Sequence, residues 1–318
     1  HLNIMADPSM PSADQDWSYN PKAGFIATLL QLSRSTVPNV LSRSEFWLFF
    51  GIHVMTWGGY QSGWFRVENY IEPFISVDWV DLKMLTTVTS FFLAFYINQC
   101  YERYQRMYTL SRKMFGTVHD VAFQARLFMR TKEAPTTDRL ISRWLSAVTV
   151  LCFVELKNYG GKGITEQQWA HLQKHGLLTS DELSKFKGLP PNQRLLAMLY
   201  MVGDLTKQGL AGQKDNALVV ETTNRLLAFR EYHQELCDAL ELSIPFQYHH
   251  LLTAVVAGNL LLLAYGMALT DSCLAPCMFI MMAILYMGML DLSAQLWNPF
   301  GSDAVDFPVN KWVTDCLR

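Results

Sequence analysis

Four stretches of the chain contain no Asp, Glu, Lys or Arg: Phe46–Phe65, Met84–Tyr101, Pro245–Thr270 and Ser272–Leu290. A helix crossing about 30 Å of hydrocarbon needs roughly 20 largely apolar residues. The last two stretches meet that requirement. The first two are more polar, and their Gly, Thr, Asn and Gln suit helices facing protein or a water-filled lumen. A soluble protein with buried core helices is the competing account, and four such windows in one chain argue against it. The pattern therefore predicts an all-α membrane protein with four transmembrane helices, at about 44–66, 82–101, 244–269 and 272–296.

Polar positions organise the rest. Arg103, Arg106, Arg112 and Lys113 follow the second window, and Lys22, Arg34 and Arg43 precede the first. This Lys/Arg bias puts both termini and the region 102–243 on the cytosolic or equivalent face. The last two spans then form a hairpin with a short outer loop, "LTDSC". Region 102–243 reads as a helical cytosolic domain: "DRLISRWLSAVTVLCFVEL" (138–156) has apolar residues at three- and four-residue spacing. In "LTSDELSKF" Ser180 is the expected N-cap, and a long helix is expected over Asn216–Leu242. Ser243-Ile-Pro245 is expected to start the third span, with Pro in its first turn. The polar start, 1–19, reads as a flexible tail, and 313–318 as a C-terminal tail.

Composition sharpens this picture. Only 17% of residues are charged, against about 25% in a soluble domain. A net charge of −2 offers nothing to a nucleic acid. The cysteines Cys100, Cys152, Cys237, Cys273, Cys277 and Cys316 lack CxxC spacing and read as reduced thiols; only Cys273 and Cys277 are close enough to suggest a pair. No GxSxG, HExxH, P-loop or GxGxxG motif occurs, so no enzyme is expected. His53, His249 and His250 lie in or beside spans and raise a second class, a membrane haem or electron-transfer protein. Adjacent histidines diverge by about 100° around a helix, which favours an interfacial role for His249 and His250. The chain starts on His, and the expectation is a fragment, a processed form or a piece of a longer polypeptide.

Candidate chemistry lies in the second window. Thr87, Phe91 and Phe95 recur every four residues and share one helical face. Such a stripe can pack against lipid or a neighbour. Alternatively it lines a pore, where apolar rings gate by dewetting and phenyl edges turn the positive part of their quadrupole to an anion.

The stretch "FFLAFYINQCYERY" resembles the second-span signature of the bestrophin family, especially its bacterial and algal branch, F-L-G-F-x-x-N-x-C-Y-x-R-W. Leu93, Phe95, Asn98, Cys100, Tyr101 and Arg103 match, with Ala94 for Gly and Tyr104 for Trp. "NPFGSDAVDF" is similar to a second signature, N-P-F-G-E-D-D-D-D-F, through Asn298, Pro299, Phe300, Gly301, Asp303, Asp306 and Phe307. "SIPFQY" (243–248) resembles the start of the family's third span and "SEFWLFF" (44–50) that of its first. The resemblance covers roughly residues 20–312.

This resemblance implies a homopentamer in a lipid bilayer that conducts chloride and bicarbonate along one axis. It makes Thr87, Phe91 and Phe95 the pore-neck positions, with Thr87 a departure from the usual aliphatic residue and the wetter level. It puts a second, cytosolic aperture at Ala217, with Leu218 as the neighbouring candidate. It also implies a calcium clasp: side chains of Asp303 and Asp306, carbonyls of Ser302 and Val305, and a carbonyl near Asn20. Ala304 and Val305 replace acidic neighbours, lowering the local charge, so a plain polar turn ending a membrane helix stays open beside the Ca2+ site. Plasma membrane is the default location, with thylakoid or another internal membrane open. A further alternative is a bestrophin-fold effector of a larger fused or associated sensor protein with its own regulatory domain.

Overall fold

The computed structural model describes residues 22, 24–32, 35–63, 79–129, 136–159, 163–210, 217–242, 244–270, 272–301, 303 and 305–316. Among them there are twelve helices and no strand. They are α1 (Phe25–Leu29), α2 (Val37–Ser42), α3 (Ser44–Gln61), α4 (Trp79–Phe128), α5 (Thr137–Lys157), α6 (Glu166–Lys174), α7 (Ser180–Lys187), α8 (Pro191–Gly209), α9 (Ala217–Glu241), α10 (Phe246–Ala268), α11 (Ala275–Trp297) and α12 (Val309–Cys316). The described residues divide into two units, one within 17–104 and 243–298, the other within 105–242 and 299–318.

In the first unit α10 and α11 have 23 residues each, about 35 Å at 1.5 Å per residue. Both, and α4, are long and apolar enough to cross a membrane. Helix α3 has 18 residues, about 27 Å, and the expected first span 44–66 runs past its end into residues outside those described. It packs on α10 and α11. His53 Nδ1 donates to the Ala264 carbonyl at 2.8 Å, and its ring stacks 4.7 Å from Phe279. Phe46, Tyr96, Leu260, Phe279 and Tyr286 lie in the core of this unit. Where lipid surrounds a bundle, shape packing and interhelical hydrogen bonds hold it, since lipid tails are as apolar as leucine.

The second span lies wholly inside α4, but α4 is one helix of 50 residues. No break separates the expected span (82–101) from the expected cytosolic region beginning at 102. Helix α10 starts on Phe246 with Pro245 as its N-cap, one position earlier than a first-turn proline.

The second unit centres on α5, where Ala147–Val154 is buried all round, as a helix in the middle of a core must be. It packs against α8 and α12. Phe115 and Phe153 stack at 4.9 Å, and Arg194 of α8 meets Glu155 of α5 at 3.3 Å. Helix α6 ends in a Schellman turn: Gly176 has φ of 68°, and the N–H groups of Gly176 and Leu177 donate to the Gln173 and Leu172 carbonyls at 2.9 and 3.0 Å.

Two expectations are corrected here. The N-cap of α7 is Thr179, not Ser180: Thr179 Oγ1 accepts from the Glu182 N–H, and the Glu182 side chain accepts from the Thr179 N–H. That reciprocal pair satisfies two orphan donors at once, which Ser180 one residue later could not do. The tail at 313–318 is helical as far as Cys316. Val313 is only 3% exposed, and Trp312 packs edge-on against Phe115, so burial orders this segment.

Candidate functional site

Helix α4 has two unlike faces over 82–100. Leu82, Thr89, Leu93, Tyr96 and Cys100 are buried, at spacings of seven, four, three and four that keep them on one side. On the other side Phe91 is 68% and Phe95 50% exposed, and Thr87 is exposed with them. No element of this chain covers the phenyl face among the described residues. Thr87 Oγ1 donates to the Lys83 carbonyl at 2.8 Å. The hydroxyl proton is thus committed to the helix, and what Thr87 turns outward is a methyl and acceptor lone pairs. Phe91 and Phe92 meet edge to face at 6.1 Å.

Below this face the guanidinium of Arg103 lies 3.5 Å from the centre of the Trp297 ring, a cation–π contact. It joins the motif in α4 to the last residue of α11.

Ala217 and Leu218 open α9, Ala217 exposed and Leu218 half-buried. Thr222 Oγ1 donates to Gln124 Oε1 at 2.9 Å, tying α9 to α4 one turn further along. Arg225 reaches Asp120 at 3.0 Å and Glu221 at 2.8 Å.

The turn after α11 brings Asp303 and Asp306 together. The N–H of Asp303 donates to Asp306 Oδ2 at 2.6 Å, and the N–H of Asp306 to the Asp303 carbonyl at 3.1 Å. Phe307 N–H donates to the Pro299 carbonyl at 2.9 Å. Phe300 and Phe307 pack edge to face at 5.5 Å and are buried, so aromatic packing anchors both sides of the acidic turn. Asp306 Oδ1 is buried and makes no hydrogen bond among the described residues. Burial drives the Asp306 carboxyl up to about 7, helped by the charge of Asp303 and opposed by the Asp303 N–H and Lys157. Asp303 is exposed and Val305 half-buried. Ser302, Ala304 and Asn20 lie outside the described residues.

A bare, buried carboxylate oxygen beside a second, exposed carboxylate is what a hard cation coordinated by oxygen would use. The donors present therefore fit calcium in kind. Two carboxylates and a carbonyl fall short of six oxygens, and no group of three or more His, Cys, Asp or Glu suited to a metal occurs among the described residues.

The histidines have other partners among the described residues. His53 is engaged as above, and His249 Nδ1 lies 3.3 Å from the Tyr96 hydroxyl. Cys273 and Cys277 are both free and exposed.

Two polar groups in the first unit were not among the sequence candidates. Asp291, 7% exposed, is ion-paired with Arg43 and accepts from Asn39 at 3.3 Å and Gln295 at 2.9 Å. A lone acid in the apolar run of α11 is the signal that could have found it. Thr86, Ser90, Asn259 and Tyr286 form a second cluster; an Asn inside "AGNLLLL" was its only trace.

Residues 17–318 match the family model described as "Bacterial/Fungal Bestrophin protein". The chain is 24% identical to Bestrophin-2 of Mus musculus and to Bestrophin-2a of Homo sapiens, over 92% of its own length. It spans 59% and 58% of those relatives. Among solved structures, two single-substitution variants of a bacterial bestrophin homologue from Klebsiella pneumoniae share its fold, each with a TM-score of 0.73. They are 19% and 18% identical, with 89% of this chain and 97% and 98% of theirs covered.

Proposed function

The chain belongs to the bacterial and fungal bestrophin family, and from that premise we propose that it is an anion channel passing chloride and bicarbonate. Five copies ring one axis in the membrane, each crossing it four times through α3, the start of α4, α10 and α11. The observation that carries this reading is the uncovered face of α4, where Phe91 and Phe95 stand exposed beside a fully packed opposite face. Rings of phenyl groups one helical turn apart exclude water unless an ion carries it through, and their positive edges suit a partly dehydrated anion over a cation. Thr87 begins the neck. Ala217 and Leu218 form a second, wide aperture, because a methyl at Ala217 closes little space.

The acidic turn is proposed as a calcium site that controls opening. Asp303 and Asp306 would hold the ion through side-chain oxygens and Val305 through its carbonyl; the further carbonyls expected at Ser302 and near Asn20 lie outside the described residues. Calcium, when bound, supplies two positive charges that favour the ionised form of nearby carboxylates. Asp306 supplies the buried oxygen that lacks a hydrogen bond among the described residues, and the Phe300–Phe307 packing keeps the turn in place.

Reconstitution in planar bilayers under chloride and bicarbonate gradients, with and without calcium, tests the proposal. Expected are reversal potentials on the anion side and a changed selectivity or gating in Phe91→Ala. Cation-selective current, or none from either protein, would overturn it.

A further inference from the structure

We infer that Asn259 and Tyr286 are positioning residues for the neck, because they clamp Thr86 and Ser90, the residues directly before Thr87 and Phe91, and so set the rotation of α4 about its axis. The inference rests on the channel reading above. Thr86 and Ser90 are four residues apart and share one face, while Thr87 and Phe91 lie about 100° further round. From α10, Asn259 Oδ1 accepts the Thr86 hydroxyl proton at 3.0 Å. From α11, the Tyr286 hydroxyl meets the Ser90 hydroxyl at 2.6 Å. Both hydroxyls also reach the Thr86 carbonyl, Ser90 at 2.8 Å and Tyr286 at 3.3 Å. One of the two protons therefore goes to that carbonyl while the other joins the two oxygens.

The surroundings make this clamp directional. Asn259 is fully buried and Tyr286 is 1% exposed, so on their side water offers no substitute for a broken bond, while Thr86 is half-buried and Ser90 exposed on α4. The apolar line Leu82, Leu93, Tyr96 holds α4 by shape, and apolar contact has no preferred direction. Hydrogen bonds do, and turning α4 by one residue would leave the buried Asn259 oxygen and Tyr286 hydroxyl without their partners on α4. The same turn would carry Phe91 and Phe95 off the face they occupy. Asn259 Nδ2 has no acceptor among the described residues, so the hold of Asn259 on α4 passes through its oxygen.

The chain, reconstituted and recorded as above, tests this through Tyr286→Phe and Ser90→Ala. Each deletes one hydroxyl of the clamp, and Ser90→Ala leaves every ring in place and favours the helix. Expected is a shift of about twofold to fivefold in the thiocyanate-to-chloride permeability ratio in either variant, the scale set by one interhelical hydrogen bond. The shift should be absent when Tyr286→Phe is added to Phe91→Ala, since the clamp acts through Phe91. If the unsubstituted protein conducts anions and Phe91→Ala alters the ratio while both hydroxyl deletions leave it unchanged, the clamp is refuted and the channel reading stands. A loss of protein from the membrane with an unchanged ratio refutes it equally. Absence of anion current in the unsubstituted protein removes both.

Discussion

Asp303 and Asp306 hold each other across the turn: the N–H of Asp303 donates to an Asp306 carboxylate oxygen at 2.6 Å, and the N–H of Asp306 returns to the Asp303 carbonyl at 3.1 Å. The turn is self-closed, yet it leaves Asp306 Oδ1 buried and without a hydrogen bond among the described residues. A carboxylate in that position is costly when ionised, and this cost has a measurable sign.

The Asp306 carboxyl rises from an ordinary 3.8 to about 7 on folding. Between those values the folded chain keeps a proton that the unfolded chain has lost, so stability falls as pH rises through that window. Glu155, half-buried and also raised to about 7, contributes with the same sign, so the informative quantity is a difference. In calcium-free detergent the melting temperature should fall more steeply from pH 5 to pH 8 in the unsubstituted protein than in Asp306→Asn. Added calcium should raise it more at pH 8 than at pH 5, and should do nothing to Asp306→Asn. Identical pH slopes in the two proteins would remove Asp306 as the source.

Thr87→Val should leave anion selectivity nearly unchanged, within about a factor of two, the scale of a weak interaction of a few tenths of a kcal/mol. The Thr87 hydroxyl proton already belongs to the Lys83 carbonyl, so no donor is lost from the neck. Bi-ionic reversal potentials measure this. A large loss of chloride permeability would mean that the hydroxyl turns to the ion when the channel conducts.

Arg43→Ala should lower stability by about 1–3 kcal/mol, short of the full cost of breaking a buried pair because Arg43 itself is half exposed. It leaves Asp291 buried with only the amides of Asn39 and Gln295. Arg43→Lys should recover part of the loss. Thermal melts of the purified protein, read by tryptophan fluorescence, give the comparison.

Thr179→Ala should cost about 1 kcal/mol, the usual worth of an N-cap, and Ser180→Ala close to nothing. Glu182→Gln should cost more than Glu182→Asp, since Glu182 takes both guanidinium nitrogens of Arg143 at 2.8 Å. That ion pair holds the Glu182 carboxyl down to about 2. Its stabilising share is present above the ordinary value of 4.5 and is lost as pH falls towards 2. Acid titrations of the unsubstituted protein and Glu182→Gln should diverge in that window.

Charge-free length was enough to expose α4, α10 and α11, because a segment bound for hydrocarbon must be apolar over about 20 residues whatever its neighbours. The helix at 137–157 was legible for a related reason: its three- and four-residue apolar spacing is a local property of the helix. The family motifs were readable too, since they are contiguous. The cap at Thr179 was missed by one residue, because Thr-Ser-Asp offers three acceptable caps and only the reach of Glu182 selects among them.

Pairings between distant segments left no such local mark. Thr86 with Asn259, Ser90 with Tyr286 and Arg43 with Asp291 join residues about 170 to 250 positions apart, and a hydrogen bond depends on where two atoms meet rather than on the order of residues along the chain. Hydropathy alone therefore determined that Phe91 and Phe95 share a face on a membrane-length helix. Which way that face turns was decided only by tertiary contact, as the packed line through Leu93 and Tyr96 took the opposite side of α4 and left the phenyl rings uncovered.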